Sequence, residues 1–291
     1  MNATIRSASH AFLVLLIVGG MTATAHAGPG VKMSAAVKRR VGALAQLEEA
    51  RAAALALIHD EVKYSDVDSG RSSQGEVDKL TEQVGRLWKK VEPLLVKDLK
   101  TLHRRSNREK LAALVSTDPS KLNAWELALL GHFGDLQTRQ WNQRLVAELP
   151  KDTQIKQAQI QEVILTNEYR MMMGLRALRI ELVLIDAARS HSVEMRTLGY
   201  FDHVSPVAGR RMPWDRAKLA GFPGPMVGEN IAMGYETAEE VHEGWRTSPA
   251  HHRNMLAPEW ERIGVAFDDD HWTQMFGRVT KPKDASAAAK P

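Results

Sequence analysis

Two histidines and a glutamate stand in three short segments punctuated by glycine and proline: His203 in FDHVSP, Glu229 in GENIAMG and His251 in SPAHHRNML. They are 26 and 22 positions apart, too far for one helix face and close enough for one compact fold to bring together. Segments of this kind are where binding and catalytic sites are usually built. Two imidazoles and a carboxylate are the donor set of an open zinc site, in which water takes the fourth position and is acidified by the metal. The spacing adds nothing to this, since no local HExxH-type signature is present. Ser248 and Pro249 read as an N-cap followed by a first-turn proline. That places His251 in the first turn of a helix, where the dipole favours the neutral imidazole a metal requires. The same residues also have a plain structural reading, in which histidine and glutamate hydrogen-bond loops together, with Asn230 and the Ser205–Pro206 turn sharing the work. No nucleophile or free base accompanies the set, so it defines a site more readily than a reaction.

The elements that must position these residues are mixed. Ile160, Val163, Ile164, Asn167 and Met171 predict a helix over 154–173, closed by Gly174 at a left-handed cap. A second runs from about Leu182 to Leu198 and is closed by Gly199, and a short one starts at Pro213. Strands are predicted at Met226–Met233, Arg262–Asp268 and His271–Val279, with the Asp268–Asp270 run as a hairpin turn. Without regular strand–helix alternation, this is an α+β pattern rather than a doubly wound parallel sheet. Trp214, Trp245, Trp260 and Trp272 read as core and cleft-wall aromatics. His191 reads as a packed residue or one standing behind the site, His252 as an exposed neighbour, and His242 and His271 as surface positions.

Upstream, from Lys32 to about Glu148, the pattern is helical throughout. Val37, Val41, Leu44 and Leu47 open an apolar stripe over roughly 33–62, and Asp66–Gly75 is a polar connection. Val77, Leu80, Val84, Leu87, Trp88 and Val91 continue a second stripe up to Pro93, which is expected to kink or end that helix by removing a backbone donor. Shorter helices are predicted around 107–116 and 121–147. Such a run suggests a helical bundle or hairpin array over residues 28–150 with no visible chemistry. His59, His103 and His132 read as surface or cap histidines, and the basic clusters at 38–40 and 104–105 as solvated helix faces. Pro150 with Lys151–Thr153 marks the expected boundary, and the tail, residues 281–291, carries no core pattern.

Composition places limits on all of this. The chain has 291 residues, 44% hydrophobic and 25% charged, as a globular protein does. Its net charge of +4 is small, and aromatics at 6% form no basic, aromatic-interleaved stripe, so nucleic acid is not an expected partner. Residues 1–27 read as a secretory signal peptide: Arg6, an apolar run from Ala11 to Gly20, then Ala25-His26-Ala27 with cleavage before Gly28. That run is shorter than the roughly 20 residues a spanning helix needs, and no transmembrane segment is expected in the mature chain. With no cysteine, an exported protein must rely on core burial in place of disulfides. Export would end in the periplasm, at the cell surface or outside.

The stretch TNEYRMMMGLRALRIELVLIDAARSHSVEMRTLGYFDH (166–203), with GENIAMG, SPAHHRNML and IGVAFDDDHWTQMFG, resembles the bacterial branch of the CAP superfamily, or SCP domain. That superfamily groups cysteine-rich secretory proteins, antigen 5 and plant pathogenesis-related proteins. The resemblance spans about 155–280 and leaves residues 28–150 uncovered. It implies an α-β-α sandwich with a central antiparallel sheet and an open cleft holding histidines and acids, which in some members bind a divalent metal such as zinc. On this resemblance the cleft residues are His203, Glu229 and His251, with Ser248, three residues after Trp245, where eukaryotic members carry a second acid. Glu240 and Glu243 lie nearby on the preceding helix. The expectation is an α+β protein with a C-terminal CAP sandwich behind an all-helical region. Its cleft would bind a ligand, a metal ion or an envelope or extracellular partner, with His203, His251 and Glu229 as the metal-ligand set. The alternatives are a zinc-dependent hydrolase acting on an envelope or extracellular polymer, with Glu229 as ligand or general base, and a lipid or sterol carrier.

Overall fold

The computed structural model describes residues 34–60, 73–150 and 153–279. The expected signal peptide, most of the Asp66–Gly75 connection, Lys151 and Asp152 at the expected boundary, and the tail lie outside the described residues. Two compact units emerge, one of the described residues up to Gln140 together with Arg170–Arg176, the other of Trp141–Tyr169 and the described residues from Ala177 onward.

The first unit is helical. Helix α1 (Ala35–His59) is capped by Ser34, whose hydroxyl accepts from the amide of Val37. It packs along α2 (Gln74–Leu102) through Leu47, Ala54 and Ile58 on one side and Val77, Val84, Val91, Leu95 and Leu99 on the other. Pro93 does not end α2, which runs on to Leu102. Its ring stands on the exposed face, while the buried stripe continues on both sides of it and outweighs the lost backbone bond. Helices α3 (Arg108–Ser116) and α4 (Ala124–Glu148) follow. Arg170–Arg176 joins this unit through arginines: Arg51 donates to the carbonyls of Met171 and Met172, and Arg176 reaches Asp135. His132, expected on the surface, is buried edge-on against Trp88.

The second unit contains the mixed elements. Helix α5 (Gln157–Met172) leads to the two-residue strand β1 (Arg179–Ile180), then α6 (Leu182–Leu198), α7 (Pro213–Leu219) and β2 (Met226–Met233). Helices α8 (Ala238–Arg246) and α9 (Pro249–Met255) precede the hairpin β3 (Arg262–Asp268) and β4 (His271–Arg278). The sheet order is β1-β3-β4-β2; β1 runs parallel to β3 and the other pairs are antiparallel. The hairpin turns on two residues, with Asp269 at a positive φ of 56°, the conformation that tight hairpin loops demand. Gly174 and Gly199 take left-handed cap conformations where the pattern placed them.

Strands β3 and β4 are buried almost end to end, because helices cover both faces of their sheet and no polar alternation is needed. Leu184, Ile185 and Ala188 of α6 meet Ile263, Val265 and Phe276, and Trp245, Trp260 and Trp272 complete the core. Trp214, expected in the core or cleft wall, is exposed at the start of α7. Helix α6 sits so close to β3 that a Cβ on Gly264 would lie 2.4 Å from the Ile185 nitrogen.

Candidate functional site

Glu229 is the fixed point of the site. It sits mid-strand on β2, paired across to Met275 of β4, with a side chain only 1% exposed. A carboxylate at that depth requires compensation, and it receives a buried arginine. Arg216 of α7 donates from Nη2 to Oε2 of Glu229 at 2.7 Å and to the carbonyl of His203 at 3.1 Å. Its Nη1 meets the carbonyls of Arg210 and Arg211. One guanidinium therefore binds the 203–211 loop to the strand. Pro213 at the first helical position and Asp215, which accepts from the Met212 amide, set the helix that carries it.

The other carboxylate oxygen, Oε1, faces histidine. Nδ1 of His203 hydrogen-bonds it at 2.8 Å, and Nε2 of His191 on α6 lies 3.7 Å away. His203 is 45% exposed while its partner is buried, so the pair bridges interior and surface. With Nδ1 engaged, Nε2 is the ring nitrogen left for the depression that His203 lines. Behind His191 the polar chain continues: the Tyr200 hydroxyl lies 3.3 Å from His191 Nδ1 and donates to Glu194 at 3.0 Å, and Ser205 also donates to Glu194. Burial holds His191 neutral, with a pKa lowered to about 4, and raises the Tyr200 phenol to about 12.

His251 enters from α9. Ser248 and Pro249 form the expected start of that helix, although the Ser248 hydroxyl makes no capping bond. Asn230 Nδ2 donates to the His251 carbonyl at 3.3 Å and to Gln274 at 2.9 Å, while Asn254 donates to Asn230 Oδ1. The loop-tying role expected of Asn230 is therefore realised beside the site. Burial, then proximity to His203, lowers the pKa of His251 to about 4. The imidazole is thus neutral at ordinary pH.

An open depression of about 300 Å³ is lined by Phe201, Asp202, His203, Ile231 and His251. Glu229 stands behind His203, and neither it nor Ser248 lines the depression. Among the described residues no three His, Cys, Asp or Glu side chains are placed to hold a metal ion. The donor set facing the depression is two imidazoles, and both oxygens of Glu229 are already engaged by His203 and Arg216. The full set of His203, His251 and Glu229 therefore does not fit as three direct ligands. It fits as two imidazoles with a carboxylate orienting one of them.

The neighbouring histidines differ from their expected settings. His252 is fully buried, with Nε2 2.8 Å from the Tyr169 hydroxyl. His242 is largely covered and 3.4 Å from the buried Glu162, and His271 is largely covered beside Asp270. Arg216, Tyr200 and Glu194 were not anticipated as parts of the site; an arginine in a short helix reads as a solvated charge until its burial is known.

Residues 163–276 match the model of the cysteine-rich secretory protein family, CAP. This segment is a CAP domain. The uncharacterized protein YkwD of Bacillus subtilis (strain 168) is 41% identical over 116 residues, covering 39% of this chain and 44% of its own. The uncharacterized membrane protein YlbC of the same organism is 33% identical over 112 residues, 38% of this chain and 32% of its own. The chain thus spans less than half the length of either curated relative. Among solved structures, an extracellular protein containing an SCP domain from Bacillus anthracis str. Ames is 30% identical, covers 42% of this chain and 40% of its own, and has a TM-score of 0.40. An outer surface protein of Borrelia burgdorferi is 19% identical over 43% of this chain and 95% of its own, also at a TM-score of 0.40.

Proposed function

We propose that the CAP domain is a binding module whose ligand seat is the depression between His203 and His251, and that a divalent metal ion such as zinc suits this pair. The observation that carries this reading is the 2.8 Å bond from His203 Nδ1 to the buried Glu229. A carboxylate behind an imidazole fixes its ring orientation and raises the basicity of the other nitrogen. His251, neutral through burial, supplies a second donor. The remaining positions would be completed by water or by a bound partner.

Glu229 is spent on His203 and Arg216, which leaves it poorly placed as a general base, and this favours binding over hydrolysis of an envelope or extracellular polymer. The depression offers only Phe201 and Ile231 as apolar lining, which does not favour lipid or sterol carriage at this seat. Export to the periplasm, the cell surface or the medium is proposed with it, on the strength of the leader at residues 1–27. Among the described residues no helix is long and apolar enough to cross a membrane.

The test is thermal unfolding with and without zinc. An ion at a hundredfold excess over its dissociation constant stabilises the fold by about 2.7 kcal/mol. The wild type should show such a gain, and both His203→Ala and His251→Ala should lose it. A wild type that gains nothing, or variants that keep the gain, would overturn the seat as a metal site.

A further inference from the structure

Charge in the helical unit is segregated. Between Arg86 and Lys110 stand nine Lys or Arg residues against three Asp or Glu, an excess larger than the net +4 of the whole chain. Of the three acids, Asp98 is turned inward, accepting from Trp125 Nε1 at 3.0 Å and pairing with Arg40 at 2.9 Å. On α2, at the 100° per residue of an α-helix, Arg86, Lys89, Lys90, Lys97 and Lys100 fall within about 100° of one another. They lie opposite the buried Val91, Leu95 and Leu99, and all five are exposed. The stripe is about 21 Å long at 1.5 Å per residue. The Arg40–Asp98 pair brings the start of α1 to the same end of the hairpin, adding the exposed Lys38 and Arg39. A favourable helix dipole explains cations only in the last turn. Arg86, Lys89 and Lys90 lie about two and a half turns or more before it.

We propose that this face of α2 docks on an anionic lipid surface. A stripe of like charge, whose first member Arg86 also pairs with the exposed Glu82 one turn earlier at 3.6 Å, suits a planar array of phosphates, and clustered Lys and Arg residues on a helix are drawn to such a surface. The face offers no aromatic ring for base stacking, since Trp88 is turned inward under the Arg51 guanidinium, 5.0 Å from its ring. Nor does it present an apolar row for insertion, so attachment is peripheral and sensitive to salt.

The experiment is co-sedimentation of the full chain with equimolar phosphatidylglycerol–phosphatidylcholine vesicles and with pure phosphatidylcholine vesicles, at low and high salt. It is run for the wild type and for the Lys89→Glu, Lys90→Glu, Lys97→Glu, Lys100→Glu variant. The apolar leader is common to both proteins and cannot produce a difference between them. Binding should favour the anionic vesicles, fall at high salt, and drop at least tenfold in the variant. If the variant loses its helical circular dichroism, the corresponding four Lys→Gln substitutions take its place. Equal binding to both vesicle types, or an undiminished variant, overturns the proposal. So does release of the wild type by duplex DNA at equal phosphate concentration, which would assign the face to nucleic acid.

Discussion

Arg216 and Glu229 form an ion pair at 2.7 Å with both side chains almost wholly withdrawn from solvent, and the histidine of the depression depends on it. Removing one partner of such a pair strands the other, at a cost of about 3–5 kcal/mol. Arg216→Met is therefore expected to lower stability in urea unfolding by about that amount. It should also release the 203–211 loop, since the same guanidinium holds the carbonyls of His203, Arg210 and Arg211. Adding Glu229→Leu to this variant should recover part of the loss, because the stranded carboxylate is gone. Strictly additive losses would contradict direct coupling.

Three histidines that are wholly or partly withdrawn from solvent predict how the fold responds to acid. His132, His191 and His251 each have a pKa lowered from 6.5 to about 4, with burial the leading cause. The unfolded chain takes up these protons below about 6.5, whereas the folded chain resists until about 4. Stability is therefore intact above the upper value, falls as pH drops through the window and levels off below it. All three shifts have the same sign, so the losses add in the same direction. His251→Asn should flatten the decline of the urea midpoint between neutrality and pH 4. A wild-type midpoint that is constant across the window would contradict this.

Which features were legible follows from where their information lies. Strands β2, β3 and β4 were bounded by turn residues and packed with branched or aromatic side chains, so their limits could be read to within a residue of those observed. Strand β1 has two residues and is defined by its partner, Arg262–Ile263, some 80 positions later, which leaves no local trace. His203 and His251 were visible by type and motif, and the structure brings both to one depression. Arg216 was not visible, because its role depends on burial. His132 and His252 were misplaced for the same reason: histidine has no side preference until its neighbours are known.

The start of the second compact unit yields a third prediction. Asn142, in the last part of α4, donates to the Leu178 carbonyl at 3.0 Å and accepts from the Ile180 amide at 2.9 Å, standing in for a strand beside β1. Trp141, Leu145 and Val146 pack on the domain core with it. A fragment beginning at Trp141 should be measurably more stable to urea than one beginning at Thr153. Asn142→Ala should cost about 1–3 kcal/mol by leaving buried backbone groups unpaired. Limited proteolysis of the whole chain, expected to cut near 150–156, separates the cases. If the shorter fragment matches the longer one, Asn142 has no structural role.

A close approach of helix backbone to strand backbone in the core supplies the last prediction. A Cβ on Gly264 would lie 2.4 Å from the Ile185 nitrogen and 2.4 Å from the Leu184 carbonyl carbon. Neither atom belongs to a flexible side chain, so Gly264→Ala must push α6 away from β3. Overpacking of this kind costs about 1–3 kcal/mol. The shift would travel along α6 to His191, which stands 3.7 Å from Glu229, and so toward the bond that orients His203. Gly264→Ala should therefore lower the melting temperature and also weaken the zinc-dependent gain, although it lies outside the depression. A variant with a lowered melting temperature but an unchanged zinc gain would show that the Glu229–His203 pair is held by Arg216 alone, independently of α6.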